Sequence, residues 1–316
     1  MPWNLMLKEA FLIALFAATI RLAMPVLLAA LGEIIAELSG VMNLGLEGIM
    51  AIGGFTGFAV ASVTGNIWIG LLAALLAGTL MGALMAFLSV TLQLDQVVTG
   101  IILVLFGVSL SNFLYRQAFG MSGSPPRIDP LPNVPIPILS EIPYIGPVLF
   151  NQNIVVYLTV VLVAILWFVI KRTTWGLNLR ATGDVPSAVD TAGISVSAVR
   201  YIATMFGSAL AGLGGAFLTA GQLGLFLEDI MAGRGWVALA LVIFARWHPG
   251  LAVVGALIFG FTDAVQFRLQ ALGSASTPYE VFIALPYVIT IIALFAASKR
   301  SAEPTALGIP YVKGQR

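Results

Sequence analysis

Cysteine is absent from the chain, and His248 is its single histidine. These absences exclude disulfides, thiol nucleophiles, zinc sites of the cysteine–histidine type and haem attachment through cysteine. A histidine-based triad would have to use His248, which sits in the turn-like run Arg246-Trp247-His248-Pro249-Gly250 and is read as structural. No Gly-x-x-x-x-Gly-Lys-Ser/Thr phosphate loop occurs, so ATP hydrolysis is not expected on this chain. Charge is scarce too: 9% of residues are charged, against about 25% in a soluble domain. The net charge is +1 with no basic patch, so nucleic acid is not an expected partner. No polar catalytic cluster stands out, and no catalytic residue, metal ligand or resident cofactor is assigned.

In place of these features the chain carries 59% hydrophobic residues. A soluble fold of this length could not hide so much apolar surface, so the chain is read as an integral membrane protein in contact with lipid. Its N-terminus does not resemble a cleaved signal: Lys8 precedes an apolar run that Arg21 interrupts, and no small-residue cleavage site follows. A span needs about 20 apolar residues. Such segments are predicted near 10–31, 41–63, 67–91, 95–119, 153–170, 201–223, 235–247, 250–270 and 281–298. The seventh is too short for a simple span and reads as a tilted or half-length helix. The expected fold is all-α, a polytopic bundle of eight to ten crossings with broken helices, forming a single transmembrane domain over 1–316.

Three polar stretches interrupt the spans. Residues 120–152 hold half of the 16 prolines, which rules out a long helix there. Residues 171–200 carry Lys171, Arg172, Arg180 and Arg200, and the tail from 299 carries Lys299, Arg300, Lys313 and Arg316. The positive-inside rule makes the latter two cytoplasmic and the proline-rich loop extracytoplasmic. Counting crossings between them is self-consistent, but the side of the N-terminus depends on whether 32–48 crosses fully. The expected location is the bacterial cytoplasmic (inner) membrane.

Between Gly32 and Gly57 the apolar chain carries Glu33, Glu37 and Glu47 among many glycines. A carboxylate at membrane depth faces a cavity or a partner, and backbone can leave helical geometry there only under cover of protein or water. The segment therefore reads as pore-lining. A short echo links Leu46-Glu47-Gly48-Ile49-Met50-Ala51 to Leu227-Glu228-Asp229-Ile230-Met231-Ala232, which would suit two inverted halves. Glycine pairs such as Gly78/Gly82 and Gly53/Gly57, with the run 211–215, predict close helix packing. Asp263 and Arg268 are not one helical turn apart, so an ion pair within their helix is not expected.

In the stretch 174–194, Asp184 is placed to cap a short helix, Pro186 sits near its first turn and Gly193 can close it. Such a helix is too short to stand alone in water. It must dock, either on the bundle's own cytoplasmic face or in a groove of a separate motor subunit.

Three blocks resemble permease subunits of ABC importers of the branched-chain amino acid, ribose and nucleoside group. They are Gly32-Glu33 through Ser39-Gly40-Val41-Met42-Asn43-Leu44-Gly45-Leu46-Glu47-Gly48; Trp175-Gly176 through Asp190-Thr191-Ala192-Gly193-Ile194; and Gly233-Arg234-Gly235-Trp236-Val237-Ala238-Leu239-Ala240 with Arg246-Trp247-His248-Pro249. The likeness covers nearly the whole chain and is strongest to the nucleoside, simple-sugar-like branch. It implies an ATPase subunit that binds ATP and magnesium, a second homologous permease, and an extracytoplasmic substrate-binding lipoprotein. It also implies that 184–193 is the coupling helix, with Arg180, Asp184, Pro186, Asp190 and Gly193 as its coupling residues. A nucleoside needs replacement hydrogen bonds and aromatic faces along its route. Asn43, Glu47, Glu228, Arg234 and Trp236 are the candidates, and Glu47 or Glu228 has an alternative as ion-pair partner of Arg21 or Arg234. The same machinery could carry a simple sugar. A carrier driven by an ion gradient, using the acids at 33, 37 and 47, is the competing class.

Overall fold

The computed structural model describes residues 9–120, 126–272, 284, 288, 289, 291, 292 and 303–313. The span expected at 281–298 lies largely outside them, as do Lys299, Arg300 and Arg316. The described chain is almost entirely helical. Among the described residues, seven helices are long and apolar enough to cross a membrane. In our numbering the spanning helices are α1 (Glu9–Leu38), α2 (Leu46–Thr64), α3 (Ile67–Ala86, running on through a π-turn at Phe87–Thr91) and α4 (Gln96–Phe119). After the proline-rich loop come α6 (Ile154–Arg172), α9 (Val196–Ala216, running on through a π-turn at Phe217–Leu223) and α11 (Pro249–Leu272). The proline-rich loop holds only β1 (Asn133–Pro135), paired antiparallel with β2 (Asn151–Asn153), a short 3₁₀ turn and α5 (Ile145–Leu149). Helix α10 (Arg234–Ala245) has 12 residues. At 1.5 Å per residue it spans ~18 Å, little more than half of the ~30 Å hydrocarbon core, as its short apolar run predicts.

Helix α1 is the axis of the bundle. From Ala23 to Leu38 every residue of it is buried, because α9, α11 and α10 pack around it. The outer helices α4 and α6 instead expose Ile102, Leu105, Leu158 and Val160. In water such a surface would be a liability, whereas in a bilayer it is the lipid-facing side. Glycine sets how close the inner helices come. A Cβ added at Gly32 would lie 2.2 Å from the carbonyl oxygen of Gly207, and one at Gly53 would lie 2.3 Å from that of Gly212. No larger residue fits either crossing, so α1 and α2 rest directly on the backbone of α9.

Contacts at the two ends sort the segments onto two faces. The amide of Ala306 donates to the Gly183 carbonyl at 2.8 Å, and that of Gly308 to the Gly40 carbonyl at 3.1 Å. The end of α1 therefore lies on one basic face with the 171–200 loop and the tail. At the opposite face Arg268 donates to the carbonyl of Phe11 at 3.4 Å, and Ile128 of the proline-rich loop donates to Gly224 at 2.8 Å. Helix α1 thus starts at the face of the proline-rich loop and ends at the basic face, and α2 runs back. The sequence echo does not mark a repeat: Leu46–Ala51 opens α2, whereas Leu227–Ala232 lies in the turns before α10.

Candidate translocation site and coupling face

The break after α1 is built by its own acids. Glu33 Oε1 accepts the amide of Asn43 at 2.8 Å, and Glu37 Oε2 accepts the indole N–H of Trp247 at 2.6 Å. Asn43 is fully buried; its Oδ1 accepts the Gly45 amide at 3.1 Å and its Nδ2 donates to Ser208 Oγ at 3.2 Å. Gln96 Oε1 takes the Met42 amide at 2.8 Å. Glu33, Gln96 and the Asn43 side-chain carbonyl satisfy backbone that left the helix, while Glu37 takes an indole N–H. Glu33, Glu37 and Asn43 therefore face protein, which corrects the pore-lining reading of 32–48 for this half of the segment. His248 serves its turn, accepting the Gly250 amide at 3.2 Å.

Glu47 has a different setting. Its Oε1 accepts the amide of Gly233 at 2.8 Å and its Oε2 that of Gly235 at 2.6 Å. Those donors belong to the N-terminal end of α10, where Gly235 is buried, and Glu47 itself stands in the first turn of α2. Two helix N-termini converge on one carboxylate, so orphan N–H groups and both helix dipoles oppose its charge. Glycine is needed at 235 because a Cβ there would lie 2.4 Å from the Glu47 backbone nitrogen. Arg234 turns away and pairs with Asp263 of α11 at 3.0 Å, side chains 11% and 6% exposed. The expected pairing of Glu47 or Glu228 with Arg21 or Arg234 is thus corrected. Backbone amides, not a cation, take Glu47, and Asp263, sharing no partner with Arg268, takes Arg234. Arg268 lies over the Phe11 ring, 4.5 Å from its centroid.

Beside Glu47 is a cavity of about 230 Å³ lined by Ser111, Asn112, Phe226, Asp229 and Gly233 among others. Next to it a latch joins α4 to the 224–233 turn. Arg116 forks onto both oxygens of Glu228, and Asn112 Nδ2 donates to Asp229 Oδ1 at 3.0 Å. The guanidinium of Arg116 holds the Glu228 carboxyl below the usual carboxylate range, chiefly through its hydrogen bond. An aromatic wall flanks the cavity: Tyr115 and Phe55 lie 5.1 and 5.8 Å from Phe226, centroid to centroid. The turn carries positive φ at Asp229 (55°) as well as at Gly224 and Gly233, backbone that stores strain where the element must be held by others. A larger recess of about 730 Å³, bounded by Phe16, Ile20, Tyr144, Val254 and Phe261, is apolar and offers a polar solute no partner.

The five route candidates are therefore scattered. Glu47 lines the cavity and Glu228 is in the latch beside it. Asn43 is inside the α1 break, Arg234 is tied to α11, and Trp236, 44% exposed, faces outward from α10. Ser111, Asn112, Arg116, Phe226 and Asp229 escaped the sequence reading. Asn112 and Arg116 did leave a signal, being polar residues one turn apart in an otherwise apolar span.

On the basic face α7 (Thr174–Asp184) is capped by Thr173, whose Oγ1 accepts the Gly176 amide at 3.1 Å. Arg180 on α7 folds back to the Gly176 carbonyl at 3.3 Å. Helix α8 (Pro186–Thr191) follows with Pro186 in its first turn, and Gly193, at φ 83°, ends it. Asp184 does not cap it: α7 runs through Asp184, Val185 is the junction, and the Asp184 carboxylate accepts the Thr305 amide at 3.4 Å. Only Val189 of α8 is buried, while Ser187, Ala188 and Thr191 point to solvent. Asp190 meets Lys313 at 3.4 Å.

The profile described as branched-chain amino acid transport system, permease component, matches residues 15–294. The chain belongs to this permease family. Relatives run the full length of the permease. It is 36% identical to the putative glucose ABC transporter permease protein TsgC13 of Haloferax volcanii, over 94% of this chain and 97% of the relative. It is 34% identical to the guanosine ABC transporter permease protein NupQ of Bacillus subtilis, over 95% and 96%. The nucleoside ABC transporter permease protein NupC of Lactococcus lactis is 34% identical over 92% and 94%. No solved structure matches the permease. It is a multi-pass membrane subunit of a transport system.

Proposed function

We propose that the permease carries nucleosides inward as one subunit of an ABC importer. The observation that carries this reading is the polar cavity at the N-terminus of the half-length α10, with the Phe226 ring in its wall and the Arg116–Glu228 and Asn112–Asp229 latch beside it. Glu47, Asn112 and Asp229 offer ribose hydroxyls and base edges the hydrogen bonds that they lose on leaving water, and Phe226 with Tyr115 offers a ring face. At about 230 Å³, the cavity is below the ~300–1,000 Å³ of occupied ligand sites, so the state described is a closed one that must widen to admit cargo. Relatives named for nucleoside and guanosine transport support the cargo.

The driving force comes from outside the chain, since it has no phosphate loop. A separate ATPase subunit, holding ATP and magnesium, engages the exposed face of α8 and drives alternating access. Arg180, Asp184, Pro186, Asp190 and Gly193 shape that contact. A second homologous permease completes the route, with the outward-facing Trp236 and the latch residue Glu228 as its nearest polar or aromatic contributors. An extracytoplasmic binding lipoprotein delivers the solute to the latch. A simple sugar is the second reading, favoured by the 36% identity to the putative glucose permease. An ion-driven carrier is not supported, because Glu33 and Glu37 are tied to donors inside the protein. The test is uptake by proteoliposomes holding both permeases, ATPase and binding protein. Guanosine uptake that requires ATP and survives collapse of ion gradients is the expected result. Glucose uptake without guanosine uptake would replace the cargo, and uptake by this chain alone would overturn the mechanism.

A further inference from the structure

The described part of the tail, residues 303–313, crosses the cytoplasmic face and touches the α1 break, α7, α8 and α9 there. The Ala306 amide bonds Gly183 at the end of α7, and the Gly308 amide bonds Gly40 in the α1 break, at 2.8 and 3.1 Å. Thr305 reaches Asp184, the Tyr311 hydroxyl faces Asp190 of α8, and Lys313 pairs with Asp190 at 3.4 Å. Ala306 is buried and Leu307 packs against the main core. Beneath this segment lies Arg200 of α9, the largest fully buried side chain. Its Nε donates to the Ser39 carbonyl at 3.2 Å and its Nη1 to the Ile309 carbonyl at 2.9 Å. Among the described residues no carboxylate pairs with it, so a costly buried cation is retained for two backbone contacts. Glycine at 40, with φ +91°, leaves room for that guanidinium, since a Cβ there would lie 2.7 Å from Nη2.

Helix α8 has little hold of its own, with Val189 as its one buried residue. A push on so short a helix would bend the 185–195 loop unless something joined it to the bundle. We propose that residues 303–313 are a strap that makes α8 and the α1 break move as one body, with Arg200 as its positioning residue. From Gly40 the connection continues through Asn43 to Glu33 and Ser208, and along the chain to Glu47, which lines the cavity and holds α10. The strap rests on the reading that a motor subunit acts on α8, but not on the identity of the cargo.

The test uses the complete transporter in proteoliposomes, with the chain ended after Pro304 and, separately, with Gly308→Val, Ala306→Pro and Arg200→Gln. Two ratios are read: solute imported per ATP hydrolysed, and the stimulation of hydrolysis by the loaded binding protein. The second ratio does not require knowing how much solute crosses. The expected result is basal hydrolysis within about twofold of the native complex, with solute per ATP at least tenfold lower and stimulation lost. Arg200→Lys, which keeps a donor, should recover part of both ratios. Unchanged ratios in the variants that assemble overturn the strap. So does a parallel fall of basal hydrolysis and uptake in all of them, which would make the tail a folding element only. A native complex that is stimulated by its binding protein but moves no nucleoside would overturn the cargo reading and leave the strap to be judged on stimulation.

Discussion

At the residue scale, Glu47 does most to shape the site, because from the first turn of α2 it takes the free amides at the start of α10. Glu47→Ala orphans the amides of Gly233 and Gly235, at roughly 1–3 kcal/mol for each unsatisfied buried donor. The expected outcome is a thermal unfolding midpoint lowered by several degrees in detergent and loss of uptake, whereas Glu47→Gln, keeping an acceptor, recovers most of the stability. Gly235→Ala should behave like Glu47→Ala, since the added carbon would lie 2.4 Å from the Glu47 nitrogen. Equal melting of the native and Gly235→Ala proteins would contradict this. The latch has a pH signature. The folded Glu228 carboxyl titrates below its ordinary range because of Arg116. Its contribution is therefore fully present above the unfolded value of about 4.3 and is lost as pH falls through the folded one. The pair is exposed, so the effect is modest. A spin label at Ser111→Cys should become a few-fold more accessible to a paramagnetic reagent as the solution is taken below about pH 4. In the Glu228→Gln background it should be accessible at neutral pH and insensitive to acid.

At the element scale, three short pieces carry the mechanism: the 39–45 break, the half helix α10 and the six-residue α8. Their existence was legible. Glycine and acid in an apolar run announced the break, an apolar run too short to span announced α10, and Pro186 with Gly193 bracketed α8. Their bonding was not legible, because each partner lies far along the chain: Asp184 joins Thr305, Glu37 joins Trp247, and Glu228 joins Arg116. Local propensity favours Asp184 as a cap, but α7 continues through it and the tail takes its carboxylate. Replacing Asp190 and Gly193 by bulky residues should leave the permease inserted and assembled while solute moved per ATP falls severalfold. Gly193 sits at φ 83°, where a side chain is strained, and Asp190 is the strap's contact on α8. Normal uptake by that variant would make the loop merely structural.

At the scale of the whole molecule, the absence of cysteine makes the topology directly testable. Single cysteines at Glu9 and Glu141 should react with a membrane-impermeant reagent added outside intact cells, and one at Thr191 only after the cells are opened. Labelling of the Glu9 site only in opened cells would reverse α1 and with it the cytoplasmic placement of the break. By itself the sequence determined the solvent, the fold class, the approximate spans and the basic face, because these follow from composition, run length and the placement of Lys and Arg. Only the tertiary structure decided which acids line a cavity and which are consumed by backbone, which face receives the N-terminus, and how the tail joins α8 to α1. The physical reason is that a buried polar group is specified by the partner that satisfies it. In this bundle such partners can lie 210 positions apart, as Glu37 and Trp247 do, a distance over which no periodicity or spacing in the chain carries information.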